Sequence, residues 1–456
     1  MSNAATFARR WHWFEGASGH SVELLPDQGY LVSGETQLDS IHSGVVLLRT
    51  DSLGDTTMVR QFPDYEAGSG LLCRLADSGY VVVGTRNAYH ILVTKYDAAD
   101  DSAWAWLSPY TGLVSAVIPT FDRGCLVVGR LPDTGASFGM AKLTAGGQES
   151  WVRSYRDPRV YGSFARGVVQ TRDSGFVLCG DCYDYFGPYL RLVRTNPDGD
   201  TLWTRLNTQL SGPYVPAVCE TPDSGFLLAG REFDTIANTN VLLLLRTNSA
   251  GDITWSRDIA LPGMQTSAAA LAMTQDAGYI LAGQIDWFDS ARVWLVRLDA
   301  AMDTQWTSIL PGVLRENAAS VRPTPDQGYV VVGTSEAEGQ SLLLYKTDSL
   351  GRIASGIAEG SAANPRLRAS VPALSVAPNP ITSSLNPLIS YSLPAAGPAS
   401  LKLYDAVGKL VRVLKRGWAR SGVSDFELRA SDFPSGVYLL ELVVGSDRVT
   451  RKLILE

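Results

Sequence analysis

Short apolar runs recur along this chain on a nearly fixed beat. "YLVSG" at Tyr30–Gly34 returns as "YVVVG" at Tyr80, "CLVVG" at Cys125, "FVLCG" at Phe176, "FLLAG" at Phe226, "YILAG" at Tyr279 and "YVVVG" at Tyr329. Each run follows a D-x-G triplet, whose glycine stands at 29, 79, 124, 175, 225, 278 and 328. The first and last copies, "PDQGYLVSGE" and "PDQGYVVVGT", share seven of ten residues. The pattern predicts a tight turn leading into a strand. The strand is apolar at successive positions, so it is covered on both faces. No 3.6-residue period lies between the copies, so the cover is other sheet, as in a blade of a β-propeller.

Four strands fit each unit of roughly 45–50 residues, the size of a propeller blade. In the first unit, strand a ("SVELLPD") enters the turn and strand b ("YLVSGE") leaves it. Strand c ("GVVLLRTD") and strand d ("TTMVRQF") follow. Strand c ends in a base in every unit: Arg49, Lys95, Lys142, Arg194, Arg246, Arg297 and Lys346. Strand d carries W-x-R at Trp151, Trp203 and Trp255, with looser copies at Met58, Trp104 and Trp306. The seventh unit lacks a strand d. Its counterpart is "FARRW" at Phe7–Trp11, ahead of the first strand a. The prediction is therefore an all-β, seven-bladed propeller over residues 5–358, with the N-terminal strand closing the last blade. Closure also protects sheet edges.

The Pro-, Ala- and Ser-rich stretch over 359–373 reads as a linker. Short alternating strands over 374–456, such as "SLKLYD" and "RKLILE", predict a small Ig-like β-sandwich. This last part carries a net charge of +3, which leaves −10 on the rest of a chain of −7.

Within the sandwich, "VAPNP" (Val376–Pro380), "SLKLYDAVGKLVRVL" (Ser400–Leu414), "SGVYLLEL" (Ser435–Leu442) and the final "RKLILE" stand in sequence. They resemble the type A C-terminal sorting domain of the bacterial type IX secretion system. The resemblance implies passage to the periplasm, engagement of the type IX machinery, and a place in the medium or on the outer cell surface. The propeller units resemble a broad group of secreted bacterial repeat proteins that often carry such domains. Residues 1–13 hold no apolar signal-peptide stretch. "SNA" after Met1 reads as a cloning remnant, so a natural signal is expected to have been removed.

The acidic balance weighs against nucleic acid as a partner. No apolar run is long enough for a membrane span. The chemistry is sparse. Repetition of the aspartates (Asp27, Asp77, Asp122, Asp173, Asp223, Asp276, Asp326) marks them as turn caps beside glycine. Turn a–b and the end of strand c fall on the same rim, so each aspartate is expected to pair with its unit's base. The c–d turns, such as "TDSLGD", lack the distant glutamate of an EF-hand and read as hairpins. They are also similar to the Asp-box turn of sialidase-like propellers, with acid and tryptophan each displaced by one place. "CGDC" (Cys179–Cys182) has no second ligand pair for zinc. Cys73, Cys179 and Cys219 read as strand packing, and the four histidines form no spaced set. No metal, cofactor or catalytic residue is expected.

Loops b–c and d–a do not repeat, and they share the opposite rim. Variable loops on a rigid scaffold are where function concentrates. "DCYDYFGPY", "DWFDSAR" and "FPDYEAG" combine aromatic faces with carboxylates, as sugar binding requires. The candidate ligand residues are Tyr183, Asp184, Tyr185, Asp286, Trp287, Phe288 and Tyr65. The leading expectation is a non-enzymatic secreted or surface protein whose loop rim binds a glycan or an extracellular protein. Two alternatives remain: a glycan-cleaving enzyme using Asp184 and Asp286, and a rigid surface spacer without ligand.

Overall fold

The computed structural model describes the chain apart from residues 1–5, 12–15, 38–42, 63–64, 66, 87–89, 132–137, 262, 288–289, 313–314, 337–338, 354–372, 378–387, 394–396, 407, 420–421, 445–446 and 456. The chain divides into two compact units, Met1–Ala354 and Ser355–Glu456.

In the first unit, seven antiparallel four-stranded sheets follow one another along the chain. Six are consecutive meanders, beginning with Ser18–Leu24, Tyr30–Gln37, Ser43–Thr50 and Thr56–Phe62. The seventh takes Glu316–Pro323, Tyr329–Ser335 and Ser341–Thr347 from the end of the unit and Phe7–Trp11 from its beginning. Phe7 pairs with Lys346 and Trp11 with Leu342. Each strand a packs against the strands a of both neighbouring blades all the way round, so strand a is innermost and the ring is closed.

Burial explains the apolar code. Strands b and c of blade 1 are almost wholly buried, because a neighbouring blade covers each face. The outer strands d alternate between half-buried and exposed residues, as at Thr56–Phe62 and Ile253–Ile259. The closing strand has the same standing as any other interface. Phe7 and Trp11 share one cluster with Val22, Val32 and Val46 of blade 1 and Val330, Val332 and Leu344 of blade 7. Arg10 also reaches Glu316, which is 0 % exposed, at 2.7 Å. The Tyr345 hydroxyl donates to Glu316 Oε2 at 2.6 Å and accepts from Arg10 Nη2 at 2.9 Å.

The turns on the repeating rim use their glycines for space. The residue with left-handed backbone is the one before the glycine: Gln28, Ser78, Arg123, Ser174, Ser224, Ala277 and Gln327 all have φ between 62° and 69°. At Gly29 a Cβ would run into the Thr50 carbonyl of strand c. The aspartate caps this turn, with Gly29 N donating to Asp27 Oδ1 at 3.0 Å. In five blades a threonine two residues earlier, such as Thr171 or Thr221, donates to the same carboxylate.

Six of the seven expected pairs form within their blade. Lys95 meets Asp77, and Lys142–Asp122, Arg194–Asp173, Arg246–Asp223, Arg297–Asp276 and Lys346–Asp326 close at 2.5–2.8 Å. Blade 1 departs from the expectation. Arg49 crosses to Asp100 of blade 2 at 3.1 Å, and Asp27 keeps only its capping role among the bonds of the described residues.

The aromatic residue of strand d, or its counterpart Phe7, seals five of the seven blade seams. Trp151 covers the glycine of the following c–d turn, Gly199, and Trp203 covers Gly251. Trp104 lies over Gly147, Trp306 over Gly351 and Phe7 over Gly54. The arginine grips the same turn: Arg205 holds Asp252 at 3.0 Å and Arg9 holds Asp55 at 2.8 Å. Two seams differ: after Met58 the next turn carries Asp100 in place of glycine, and after Trp255 it carries Met302.

The second unit has a three-stranded sheet (Ala373–Ala377, Leu388–Leu393, Gly422–Glu427) and a four-stranded one (Leu410–Ala419, Gly397–Asp405, Gly436–Val444, Asp447–Leu455). Leu374, Ile389 and Tyr391 of the first share a core with Leu401, Leu440 and Leu453 of the second, as a sandwich requires. Residues 359–372 of the expected linker lie outside the described residues, and Ala373 is already strand.

Candidate functional site

A meander places its b–c and d–a connections on one rim, and among the described residues blade 4 gives that rim a cluster of exposed aromatic rings. Strands Phe176–Asp184 and Gly187–Thr195 are joined by just two residues, Tyr185 and Phe186. Asp184 Oδ1 accepts the Phe186 N–H at 2.7 Å and so shapes the tip. The carboxylate is therefore part of the turn. Tyr185 is 97 % exposed and Phe186 91 %. Tyr161, in the adjoining d–a loop and 69 % exposed, meets the Tyr185 ring edge-on at 6.2 Å. Tyr161 N donates to the Tyr183 carbonyl at 3.0 Å, which ties that loop to the hairpin.

The other sequence candidates fall differently. Tyr183 is half-buried with its ring edge-on to Phe164 at 6.3 Å. Burial and the neighbouring Asp181 push its hydroxyl up to about 12. Asp286 ends strand b of blade 6, accepts from Gln284 Nε2 at 2.5 Å, and is pushed above the usual carboxylate range by burial. Blade 5 stands between it and Asp184. Phe288 and the side chain of Trp287 lie outside the described residues.

Tyr65 requires a correction. It is 2 % exposed, packs against Gly84, and donates its hydroxyl to Thr94 Oγ1 at 2.8 Å. Tyr65 packs in the seam between blades 1 and 2, so it is core and presents no surface to a ligand. The four cysteines Cys73, Cys125, Cys179 and Cys182 are buried free thiols, and Cys219 is half-buried. Burial pushes Cys182 up to about 11, away from thiolate chemistry. No group of metal-ligating side chains occurs among the described residues.

Sequence reasoning missed a second feature because it searched loops. The residue after the strand b glycine sits at the mouth of each inner strand and differs from blade to blade: Glu35, Thr85, Arg130, Asp181, Arg231, Gln284 and Thr334. Its cross-strand partners vary too, including Phe164 opposite Asp181 and Tyr214 opposite Arg231. From blade 3 to blade 5 these residues interleave. Arg130 lies over the Phe164 ring at 5.7 Å, and Arg166 over Phe164 at 5.1 Å and over Tyr214 at 4.9 Å. Arg231 lies over Tyr214 at 5.5 Å. Arg166 is held by Asp181, 1 % exposed, at 2.6 Å. Aligning the repeats column by column would have exposed this position.

Residues 375–456 match the family described as the secretion system C-terminal sorting domain. Among solved structures, the chain is similar to the BP39L lectin from Burkholderia pseudomallei at 11 % identity, with a TM-score of 0.53, over 76 % of this chain and 97 % of that one. The chain is a β-propeller with a type IX sorting domain. The propeller is also similar to that of the Trilobed protease from Pyrococcus furiosus, at 9 % identity and a TM-score of 0.45, over 75 % of this chain and 99 % of that one. A further similarity is to PorZ, a surface component of the type-IX secretion system of Porphyromonas gingivalis, at 9 % identity and a TM-score of 0.39. That match covers 94 % of this chain and 69 % of PorZ. These likenesses concern fold. No curated protein is significantly similar in sequence. The sorting domain directs the propeller through the type IX system to the outer surface or the medium. No helix of the described residues is long and apolar enough to cross a membrane.

Proposed function

We propose that this secreted propeller binds a glycan at its loop-rich rim and does so without catalysis. The observation that carries the reading is the blade 4 tip. Three aromatic rings stand exposed together: Tyr185 and Phe186 on a two-residue hairpin whose geometry is set by Asp184, and Tyr161 on the adjoining d–a loop. Rigid aromatic faces with few rotatable bonds stack on the apolar faces of sugar rings at small entropic cost. A buried use for these rings is ruled out by their exposure, and scaffold needs are met on the other rim.

The carboxylates argue for binding over hydrolysis. Asp184 is engaged in the turn and Asp181 in the Arg166 pair. Glu232 and Asp258 of blade 5 share a hydrogen bond, and both are raised chiefly by burial, Glu232 further by Asp258 and Asp258 further by Asp234. A glycosidase pair instead stands about 5–10 Å apart to leave room for the scissile bond.

The test is a screen of the whole chain against an array of glycans and extracellular proteins, repeated with Tyr185→Ala and Phe186→Ala together. The expected result is glycan hits that weaken at least about tenfold in the variant. Binding that ignores the variant, or reducing ends released from a bound glycan, would defeat the reading.

A further inference from the structure

The binding reading above leaves the charge of the ligand open, and the inner mouth of blades 3 to 5 speaks to it. On the repeating rim, the bases that end strand c are matched by aspartates, six of them within the same blade. At the mouth the matching fails. Arg130 is exposed and Arg231 half-exposed, and neither has a carboxylate bonded to it among the described residues. Asp286 is near enough to Arg231 to feel it, but its own bond is to Gln284. Arg166, between the two, is already committed to Asp181. Three guanidinium groups are thus lined up along two aromatic rings in a propeller that carries most of the chain's negative charge. Holding like charges so close costs Coulomb energy unless an anion joins them. The stacking also fixes the planar forks in place, so an incoming carboxylate or sulfate meets donors that need no further ordering.

We infer that the rim recognises an acidic oligosaccharide, with Arg130 and Arg231 receiving its carboxylate or sulfate groups. The inference rests on the glycan-binding role proposed above. The ladder joins the blade 4 tip through Phe164 and Tyr183, so one ligand reaches both: its apolar faces meet Tyr185 and Phe186, and its charges meet the arginines. A neutral sugar would leave the arginines unmatched. Single-stranded nucleic acid offers phosphates and stacking bases, but a chain of net charge −7 repels a long polyanion away from the ladder.

Calorimetric titration of the full chain with two matched pairs of probes tests this. The first pair is oligogalacturonate and its methyl ester; the second is a sulfated cello-oligosaccharide and its unsulfated parent. At least one charged member should bind at least about tenfold more tightly than its neutral counterpart. The arm that does so identifies carboxylate or sulfate. R130Q with R231Q should abolish that preference and its salt dependence in a chain that still melts cooperatively. Equal binding of charged and neutral members would overturn the inference, as would a double variant that keeps the preference or a single-stranded oligonucleotide that outcompetes both acids. The two readings fail separately. Neutral binding lost in the Tyr185, Phe186 variant but indifferent to charge sinks the acidic ligand alone. Charge-selective binding indifferent to that variant sinks the aromatic tip alone. Absence of binding by any sugar sinks both.

Discussion

The two rims of this propeller are built from the same strands and obey opposite rules. On one, the blades repeat the same answer: an aspartate caps the a–b turn, a base ends strand c, and in five of the seven seams an aromatic ring covers the next blade's c–d glycine. On the other, the two blades whose b–c tips are described in full differ. Blade 4 ends in Tyr185 and Phe186, blade 5 in a longer tip carrying the 97 % exposed Ile236. The difference teaches where stability is kept. Interactions that hold the ring sit in the blade seams and on the repeating rim, so the loop rim is free to vary at little energetic cost.

The comparison breaks most visibly if the closing strand is removed. Deleting residues 1–11 takes Phe7 and Trp11 out of the core and leaves the outer edge of strand Ser341–Thr347 unpaired. Loss of two buried aromatics, at about 3–5 kcal/mol each, should leave a propeller that no longer melts as one unit in calorimetry. An unchanged single transition would mean the ring is held elsewhere. The next effect is a seam. Gly199→Val puts a branched side chain under Trp151 at φ +80°, and should cost about 2–4 kcal/mol in urea unfolding. A cost near zero would show that the seams do not carry the fold. On the loop rim the same measurement should be nearly silent: Tyr185→Ala stays within about 0.5 kcal/mol of the parent, while glycan affinity falls.

The smallest effect is the exposed ion-pair ring. Asp77→Asn should cost no more than about 1 kcal/mol. The six paired carboxyls nevertheless share a direction. Thr221 and Arg246 hold Asp223 below the ordinary range, Thr274 and Arg297 do so for Asp276, and Lys95 for Asp77. At Asp122, Asp173 and Asp326 burial pushes upward, and the threonine and basic partner outweigh it. A folded value below the unfolded one means the stabilisation is present above roughly pH 4 and is lost as pH falls through the folded values. Melting temperature should therefore hold steady down to about that pH and then drop, and replacing all six aspartates by asparagine should flatten the drop.

Much of this was legible in the chain. Repeats write the scaffold many times over, so a blade count and the missing seventh strand d could be read by alignment alone. The reason for each glycine could not. Gly29 and its equivalents are there because a strand c carbonyl passes close by, and that approach is a tertiary fact. Arg49 crossing to Asp100 has the same origin: a base at a fixed position in one blade finds its acid in another. Tyr65 illustrates the opposite failure. A loop aromatic beside an acid looks like a binding residue, and only the packing against Gly84 reveals it as core. The arginine ladder stayed hidden because its members lie far apart in sequence and meet only across the seams of blades 3 to 5.

The pairing of Phe7–Trp11 with Leu342–Lys346 also sets a schedule. The closing strand, made ahead of the rest of the ring, waits for a partner more than three hundred residues later, a long-range closure that slows the final step of folding. The sorting domain is the next segment made after that partner. A chain interrupted anywhere before Thr347 therefore lacks both the closing contact and the export address. On this order, any chain long enough to carry the sorting domain is also long enough to finish the ring.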